Sequence, residues 1–179
     1  RNGLPFGPGL NASTSHLSTC YELNDVPVAI TDTCLLVLRE FADGLSLTGE
    51  ALETERIAIL EEERMRGAAH YFPLMNSMMA GTRYERPIIG TPESIREITI
   101  NDIRDYYNKW YQPQNQAVIV MGDVDVDKTV EKIKSVFSDM RRGDSEVPDF
   151  DYAIAKHSDP RVLILRDHTI SDARVGFYF

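Results

Sequence analysis

The sequence predicts a mixed α+β fold. Helical periodicities and short apolar runs follow one another as strand, helices, strand, helix and strands, which is not the regular alternation of a βαβ protein. The chain has 179 residues, of which 42% are hydrophobic and 26% are charged, a balance typical of one globular core. No internal repeat is visible.

The first quarter of the chain predicts extended structure followed by a helix. Residues 4–25 begin with Pro and Gly and then alternate apolar and polar side chains in part. Asp25-Val26-Pro27 is typical of a helix start, and Gly44 is expected to end that helix. The apolar residues between them have the spacing of one helix face: Ile30, Cys34, Val37, Leu38 and Phe41.

Two more helices are predicted before residue 80. Glu50–Arg66 is rich in good helix formers, and Thr48 can cap it. Ala68–Met79 is expected to be helical as well, with Pro73 as a kink or a break.

The second half of the chain predicts two helices around one buried strand. After a loop over Gly81–Pro92, Thr99-Ile100-Asn101-Asp102 resembles a capping box and opens a helix that ends before Pro113. The apolar run Gln116–Met121 is typical of a buried strand. We expect Asn11–Tyr21 to be a strand that pairs with it or with the closing strands. A further helix has one apolar face, made of Val126, Val130, Ile133 and Phe137.

The chain is thus expected to have three parts: a core segment over 1–140, a linker-like loop over 141–160 and closing strands over 161–179. The polar, Pro- and Gly-punctuated composition of Arg141–Pro160 predicts the loop. The closing strands are Arg161–Arg166 and Ala173–Phe179.

Charge and cysteine content restrict the possible partners. The net charge of −9 argues against a nucleic-acid or anionic-membrane surface, and no window of 18 apolar residues predicts a membrane span. Cys20 and Cys34 have neither CxxC spacing nor a nearby His pair, so we expect two buried thiols rather than a disulfide or a structural zinc site.

The best candidate for chemistry is a pair of glutamates on the second predicted helix. Glu55 and Glu62 are seven residues apart, which brings them within about 20° of each other on a helix, with Ile59 on the same side. Carboxylates on a partly buried face need partners, which could be a metal ion, an Arg or a His. The spacing alone leaves open a solvated, glutamate-rich helix. The four histidines, none of them in an HExxH or HxxEH setting, are His16, His70, His157 and His168.

Several motifs, in order along nearly the whole chain, resemble one peptidase superfamily. They are Phe6–Ser15 with Thr19-Cys20-Tyr21, then Glu55-Arg56 with Glu61-Glu62, then Pro87–Ile95, and finally Tyr106–Asp125. In this order they resemble the motifs of the pitrilysin, insulin-degrading enzyme and mitochondrial processing peptidase superfamily of inverted zincins. The linked motifs look most like those of the bacterial members.

The resemblance implies a fold and a reaction. The fold is a mostly antiparallel sheet with helices packed on one face, a domain of processing-peptidase type. The chain is expected to be incomplete at its N-terminus, because the family's HxxEH motif precedes the Asn-Ala segment and is absent here. The reaction is the hydrolysis of internal peptide bonds by a zinc-activated water.

The resemblance also assigns roles to four residues. Glu62 corresponds to the third zinc ligand, and Glu55 to a supporting glutamate of the catalytic site. Asn11 and Ala12 correspond to the edge strand with which a peptide pairs. Leu17-Ser18 departs from the Asp-Glu that the family often has there, which puts side-chain contacts at that point in doubt. Zn²⁺ is expected in the intact parent and none on this chain alone, which should be inactive.

The implied partners are a peptide or unfolded protein and a second homologous domain, in the same chain or another. A homodimer through an exposed sheet edge is plausible, and the setting implied is the bacterial periplasm or cell envelope. The main alternative is a non-catalytic partner or scaffold domain of the same fold, against which the presence of both Glu55 and Glu62 argues. A plain acidic interaction domain of unrelated fold is a third interpretation.

Overall fold

The computed structural model describes residues 9–66, 71–144, 150, 153–154, 159–166, 173 and 175–177. These residues form one two-stranded antiparallel sheet and six α-helices. The elements are β1 (Leu10–Thr14), β2 (Thr19–Leu23), α1 (Thr31–Arg39), α2 (Gly49–Arg66), α3 (Tyr71–Met79), α4 (Pro92–Glu97), α5 (Ile100–Trp110) and α6 (Val126–Phe137). The chain divides into two compact units, one of Arg1–Glu53 with Ile98–Asp149 and the other of Thr54–Glu97 with Phe150–Phe179.

In the first unit, β1 and β2 form a hairpin in register from Leu10↔Leu23 to Thr14↔Thr19. The expectation of one continuous strand over Asn11–Tyr21, paired with Gln116–Met121, is therefore wrong. The reason lies in the turn, where the Ser15 amide donates to the Ser18 carbonyl at 2.8 Å. The Ser15 hydroxyl also accepts from the Leu17 and Ser18 amides, at 3.2 and 3.1 Å. A serine side chain that bonds the backbone two or three residues on favours a turn over a continuous strand.

One face of the hairpin packs on an aromatic group that we call the tyrosine cluster, Tyr21, Phe41, Tyr107 and Tyr111. The Tyr21 ring stacks on Phe41, with centroids 4.5 Å apart, and its hydroxyl bonds that of Tyr111 at 2.7 Å. Tyr107 donates its hydroxyl to the Phe41 carbonyl at 2.9 Å and lies 4.4 Å from the Tyr111 ring. The cluster thereby fastens β2 to the end of α5 and to the turn after α1.

Helix α1 packs against α6 and contributes the buried Cys34 and Leu35. Arg39, in its last turn, forms a bidentate pair with Asp43, donates to the Val136 carbonyl at 2.6 Å and pairs with Asp139. The helix continues as a π turn over Glu40–Gly44, so the predicted end at Gly44 is confirmed. The guanidinium group of Arg39 thus links the end of α1 to the end of α6 through hydrogen bonds and ion pairs.

Caps predicted from the sequence are present at α2 and α5. The Ala51 amide donates to the Thr48 hydroxyl at 3.2 Å at the start of α2. At α5, Thr99 and Asp102 form the reciprocal capping box, with the Thr99 amide 2.8 Å from the Asp102 carboxylate. These bonds satisfy backbone donors that have no partner within the helix, and so they fix where each helix begins.

The second unit contains most of α2, together with α3 and α4. Pro73 is the third residue of α3, and residues 67–70, where the predicted helix begins, lie outside the described residues, so the kink or break at Pro73 stays a prediction. Helix α4 is held at its start by a reciprocal pair, the Thr91 amide on the Ser94 hydroxyl at 2.9 Å and the Ser94 amide on the Thr91 hydroxyl at 3.2 Å. Ile95 is buried on α4, and its carbonyl accepts from Arg56 of α2.

The predicted strand at Gln116–Met121 is not formed, and it is not buried. Ile119 is 74% exposed and Met121 88%. Residues 161–166 also have no strand partner in the described part of the chain, and most of Ala173–Phe179 lies outside it. An apolar run becomes a strand only when a neighbouring strand bonds its backbone, and no described segment does so here.

Both cysteines are free thiols, as expected, but only Cys34 is buried. Cys20 lies on the face of the hairpin opposite to Tyr21, because side chains alternate along a strand, and it is exposed. None of the helices that the structure describes has the length and apolarity that a membrane crossing needs.

Candidate functional site

The two candidate glutamates lie on one uninterrupted helix. Helix α2 runs from Gly49 to Arg66 without a break, so Glu55 and Glu62 are two turns apart on it. Seven residues correspond to a rise of about 10 Å and a residual rotation of about 20°. The predicted geometry is therefore confirmed, whereas the roles of the two carboxylates stay a prediction.

The burial of neighbouring side chains distinguishes Glu62 from Glu61. Glu61 is exposed and accepts from Arg64, with Nη2 to Oε2 at 2.9 Å. Glu62 and Ile59 are half-buried, while Glu55 is exposed. A half-buried carboxylate beside an apolar side chain needs a polar or metal partner more than an exposed one does. Burial therefore separates Glu62 from the exposed Glu61, but not from Glu63, which is half-buried as well.

The part of the chain that the structure describes does not contain a complete metal site. Across 9–66, 71–144 and the shorter described stretches, no three His, Cys, Asp or Glu side chains are placed so that they could hold a metal ion. A carboxylate is an ordinary zinc ligand, and a catalytic zinc has three protein ligands. Glu62 fits as one of the three. His16 lies in the exposed hairpin turn, while His70, His157 and His168 lie outside the described residues.

The predicted peptide-pairing residues lie on β1, in the first unit, whereas the glutamates lie in the second. Pairs of residues across an antiparallel hairpin alternate between hydrogen-bonded and non-bonded. The Ser15 amide bonds the Ser18 carbonyl, and the Asn24 amide bonds the Gly9 carbonyl at 3.0 Å, so the odd-numbered residues of β1 bond β2. The backbone groups of the even-numbered residues, Leu10, Ala12 and Thr14, therefore point away from β2, to the edge that we call the outer edge of β1.

One contact on this outer edge was not predicted. The side-chain oxygen of Asn11 accepts from the Ala12 amide at 2.9 Å, and both residues are exposed. Asn side chains bond nearby backbone amides in many local settings, but no sequence pattern says which amide is chosen.

The sequence also did not reveal the bond between Tyr21 and Tyr111, which are 90 positions apart. Burial raises the pKa of the Tyr21 hydroxyl well above its ordinary value, and the hydrogen bond with Tyr111 raises it further. Tyr21 therefore keeps its proton at physiological pH, and its bond to Tyr111 positions the hairpin without a charge on Tyr21.

Known proteins are similar in sequence to this chain over most of its length. The family model described as "Peptidase M16 inactive domain" matches residues 97–179. A protein of Arabidopsis thaliana named "Zinc protease PQQL-like" is 35% identical over 170 residues, which is 89% of this chain and 17% of the relative. The chain belongs to the M16 peptidase family. The resemblance seen in the motifs is thereby confirmed.

Solved structures of M16 peptidases have the same fold. The first half of the periplasmic protease PqqL from Escherichia coli superposes with a TM-score of 0.75 at 25% identity, over 86% of this chain and 34% of that one. A mutant of the ferredoxin protease FusC, solved in complex with Arabidopsis ferredoxin, superposes with a TM-score of 0.73 at 27% identity, over 82% of this chain and 17% of that one. This chain therefore spans between 17% and 34% of these three proteins.

The two glutamates precede the part of the chain that the family model matches. Glu55 and Glu62 lie before residue 97, so the words "inactive domain" describe a stretch that contains neither of them.

Proposed function

We propose that this M16 chain is part of a zinc-dependent metalloendopeptidase that hydrolyses internal peptide bonds. The observation that carries the proposal is the uninterrupted helix α2, which brings Glu55 and Glu62 to one side two turns apart, in a chain that is similar to zinc proteases over 89% of its length.

In this proposal Glu62 supplies the third zinc ligand. Glu62 is half-buried on the same side of α2 as Ile59 and Glu55, and a carboxylate is an ordinary zinc ligand. The other two ligands are histidines, and the general base is a glutamate, all from an HxxEH helix elsewhere in the whole protein. Zinc, when bound, lowers the pKa of a coordinated water and makes it a nucleophile near neutral pH. Glu55, one helical repeat before Glu62, orients the groups around the site.

The peptide binds as an added strand at the outer edge of β1. The backbone groups of Leu10, Ala12 and Thr14 face that edge, and main-chain bonding gives affinity without a strict sequence preference. The substrate class is then an extended peptide or an unfolded protein. A second homologous domain encloses it, and the setting is the periplasm, as for the Escherichia coli relative. A second copy of the chain could also pair at this edge.

This chain alone is proposed to be inactive, because one carboxylate of three ligands holds zinc weakly and its sequence has no HxxEH motif to supply the general base. A second candidate function, that of a non-catalytic partner domain, is favoured by the description "inactive domain" for residues 97–179.

The test compares Glu62→Gln with Glu61→Gln in the whole protein that contains this chain. Gln keeps the shape of the side chain and removes its charge, and Glu61, which pairs with Arg64, serves as the matched control. After dialysis, zinc is measured by mass spectrometry and activity with a quenched fluorescent peptide. Glu62→Gln should lose tight zinc and cleavage together, while Glu61→Gln keeps both.

Three results would redirect the assignment. Loss of zinc in Glu61→Gln alone would make Glu61 the ligand. Tight stoichiometric zinc on the isolated 179-residue chain would show that the ligand set is different. A whole protein that binds no zinc and cleaves nothing would favour the non-catalytic domain.

A further inference from the structure

The central backbone donor on the outer edge of β1 is the Ala12 N–H, and it already donates a hydrogen bond within the chain. A peptide that adds as a strand bonds the outward N–H and C=O groups of alternate residues, here Leu10, Ala12 and Thr14. Ala12 is the middle one of the three, and its N–H donates to the side-chain oxygen of Asn11 at 2.9 Å. An incoming peptide carbonyl therefore meets an amide that is not available until the Asn11 side chain moves.

Solvation does not require this contact. Ala12 and Asn11 are both exposed, so water could satisfy the amide without help from a side chain. The Asn11 side chain belongs to the solvent face of the hairpin, together with Ser13 and Glu22, and it turns back toward the strand to reach the amide. Holding it there costs side-chain entropy, which the hydrogen bond offsets.

An acceptor in that position has two effects on the edge. Among the described residues no second strand pairs with β1, and an amide that is already bonded makes the outer edge less able to join other strands without selection. Natural edge strands commonly carry side chains that prevent such pairing. The acceptor also makes binding an exchange, because one hydrogen bond of the Ala12 amide is broken when the peptide forms another. Only a peptide that gains enough from its other contacts along the edge overcomes this exchange.

We propose that Asn11 caps the outer edge of β1 and sets the threshold for peptide addition, because a peptide carbonyl must displace its carboxamide oxygen from the Ala12 amide. The proposal rests on the proposed function in one respect, that the outer edge of β1 is where the peptide pairs. It does not involve the glutamates of α2 or a metal.

The experiment uses the metal-free 179-residue chain and a fluorescein-labelled hexapeptide of alternating threonine and valine. Binding is followed by fluorescence anisotropy for the wild type, Asn11→Ala and Asn11→Asp. Asn11→Ala removes the cap, and a net hydrogen bond of about 0.5–1.5 kcal/mol corresponds to binding that is tighter by about 2- to 10-fold. Asn11→Asp makes the acceptor anionic and should weaken binding.

Two controls separate the cap from general effects on the hairpin. Ser13→Ala changes the next residue on the same solvent face, whose backbone groups bond β2, and it should leave peptide affinity unchanged. Amide exchange of the ¹⁵N-labelled chain should show that Ala12 is protected in the wild type and loses that protection in Asn11→Ala.

The outcomes that overturn the proposal are distinct from a failure of the zinc assignment. Weaker or equal binding by Asn11→Ala would show that Asn11 contacts the peptide directly or not at all. Unchanged exchange at Ala12 would show that the cap is not formed in solution. No binding by any variant would remove the outer edge of β1 as the pairing site, while the Glu62 test in the whole protein would still stand.

Discussion

Removal of one hydroxyl group from the tyrosine cluster tests how the hairpin is fastened to α5. Tyr111→Phe breaks the 2.7 Å bond to the Tyr21 hydroxyl and keeps the ring that lies 4.4 Å from Tyr107. A hydrogen bond of this kind contributes about 1 kcal/mol to the free energy of unfolding. We expect a loss of about that size, which for a chain of this length lowers Tm by roughly 2–4 °C.

A double-mutant cycle gives the coupling itself. Tyr21→Phe should cost about as much as Tyr111→Phe, and the double variant should cost no more than about one of them, because both changes remove the same bond. Unfolding in urea, followed by circular dichroism, measures all four proteins. Tyr106→Phe is the control, since Tyr106 is 58% exposed, and it should change stability by less than about 0.5 kcal/mol. Additive costs for the two single changes would refute the reasoning.

The same bond predicts a loss of stability in alkali. The pKa of Tyr21 is raised in the folded chain by burial first and then by the bond with Tyr111. Below about pH 10 both the folded and the unfolded chain keep the proton, so the contribution is complete. Above that pH the unfolded chain ionises first, and the free energy of unfolding falls. Urea titrations at rising pH should therefore show a steeper decline for the wild type than for Tyr21→Phe.

Two further substitutions test the local geometry of the chain. Gly90→Ala and Gly81→Ala both place a side chain at positive φ, 89° and 80°, but only at Gly90 would the new Cβ lie 2.8 Å from the Ser94 hydroxyl oxygen. Gly90→Ala should therefore lower the urea midpoint more, by roughly an additional 1 kcal/mol, and equal effects would show that Ser94 moves aside freely. At α5, hydrogen bonds from Thr99 lower the pKa of Asp102, so its stabilisation is present above about pH 4 and is lost as the pH falls through the folded value. Asp102→Asn should flatten the acid limb of stability measured by circular dichroism, and an unchanged limb would assign the acid sensitivity to other carboxylates.

Helix starts could be predicted from the sequence because the interactions that decide them are local. Thr48 and Thr99 each bond an amide three residues on, and Asp125 does the same at α6, with the Lys128 amide at 3.1 Å. Such bonds depend on a few neighbouring residues, which a reader of the sequence sees together.

Strands could not be predicted in the same way, because a strand depends on a partner that may be far along the chain. The run Gln116–Met121 has the composition of a strand, and yet Met121 is 88% exposed and unpaired in the described residues. The hairpin turn at Ser15–Ser18 lacks the Asn-Gly or Asp-Gly signal of a short hairpin loop, so nothing marked it.

For the candidate site, the sequence predicted where the residues lie on their helix or strand better than it predicted which groups their side chains contact. The seven-residue spacing correctly placed Glu55 and Glu62 on one side of a helix. It could not show that Glu61 pairs with Arg64 or that the Asn11 side chain bonds the Ala12 amide, because both contacts depend on side-chain rotamers.

The outward face of the hairpin also carries a natural attachment point for a probe. The chain has two thiols, and Cys20 is exposed while Cys34 is only 6% exposed, so an alkylating dye should react at one place. Slight burial and the neighbouring Glu22 carboxylate raise the pKa of Cys20, which makes mildly alkaline buffer the suitable condition for labelling. Because Cys20 lies opposite Ser13 in the hairpin, a fluorophore there would report when a strand joins β1, in the wild-type chain and without any introduced residue.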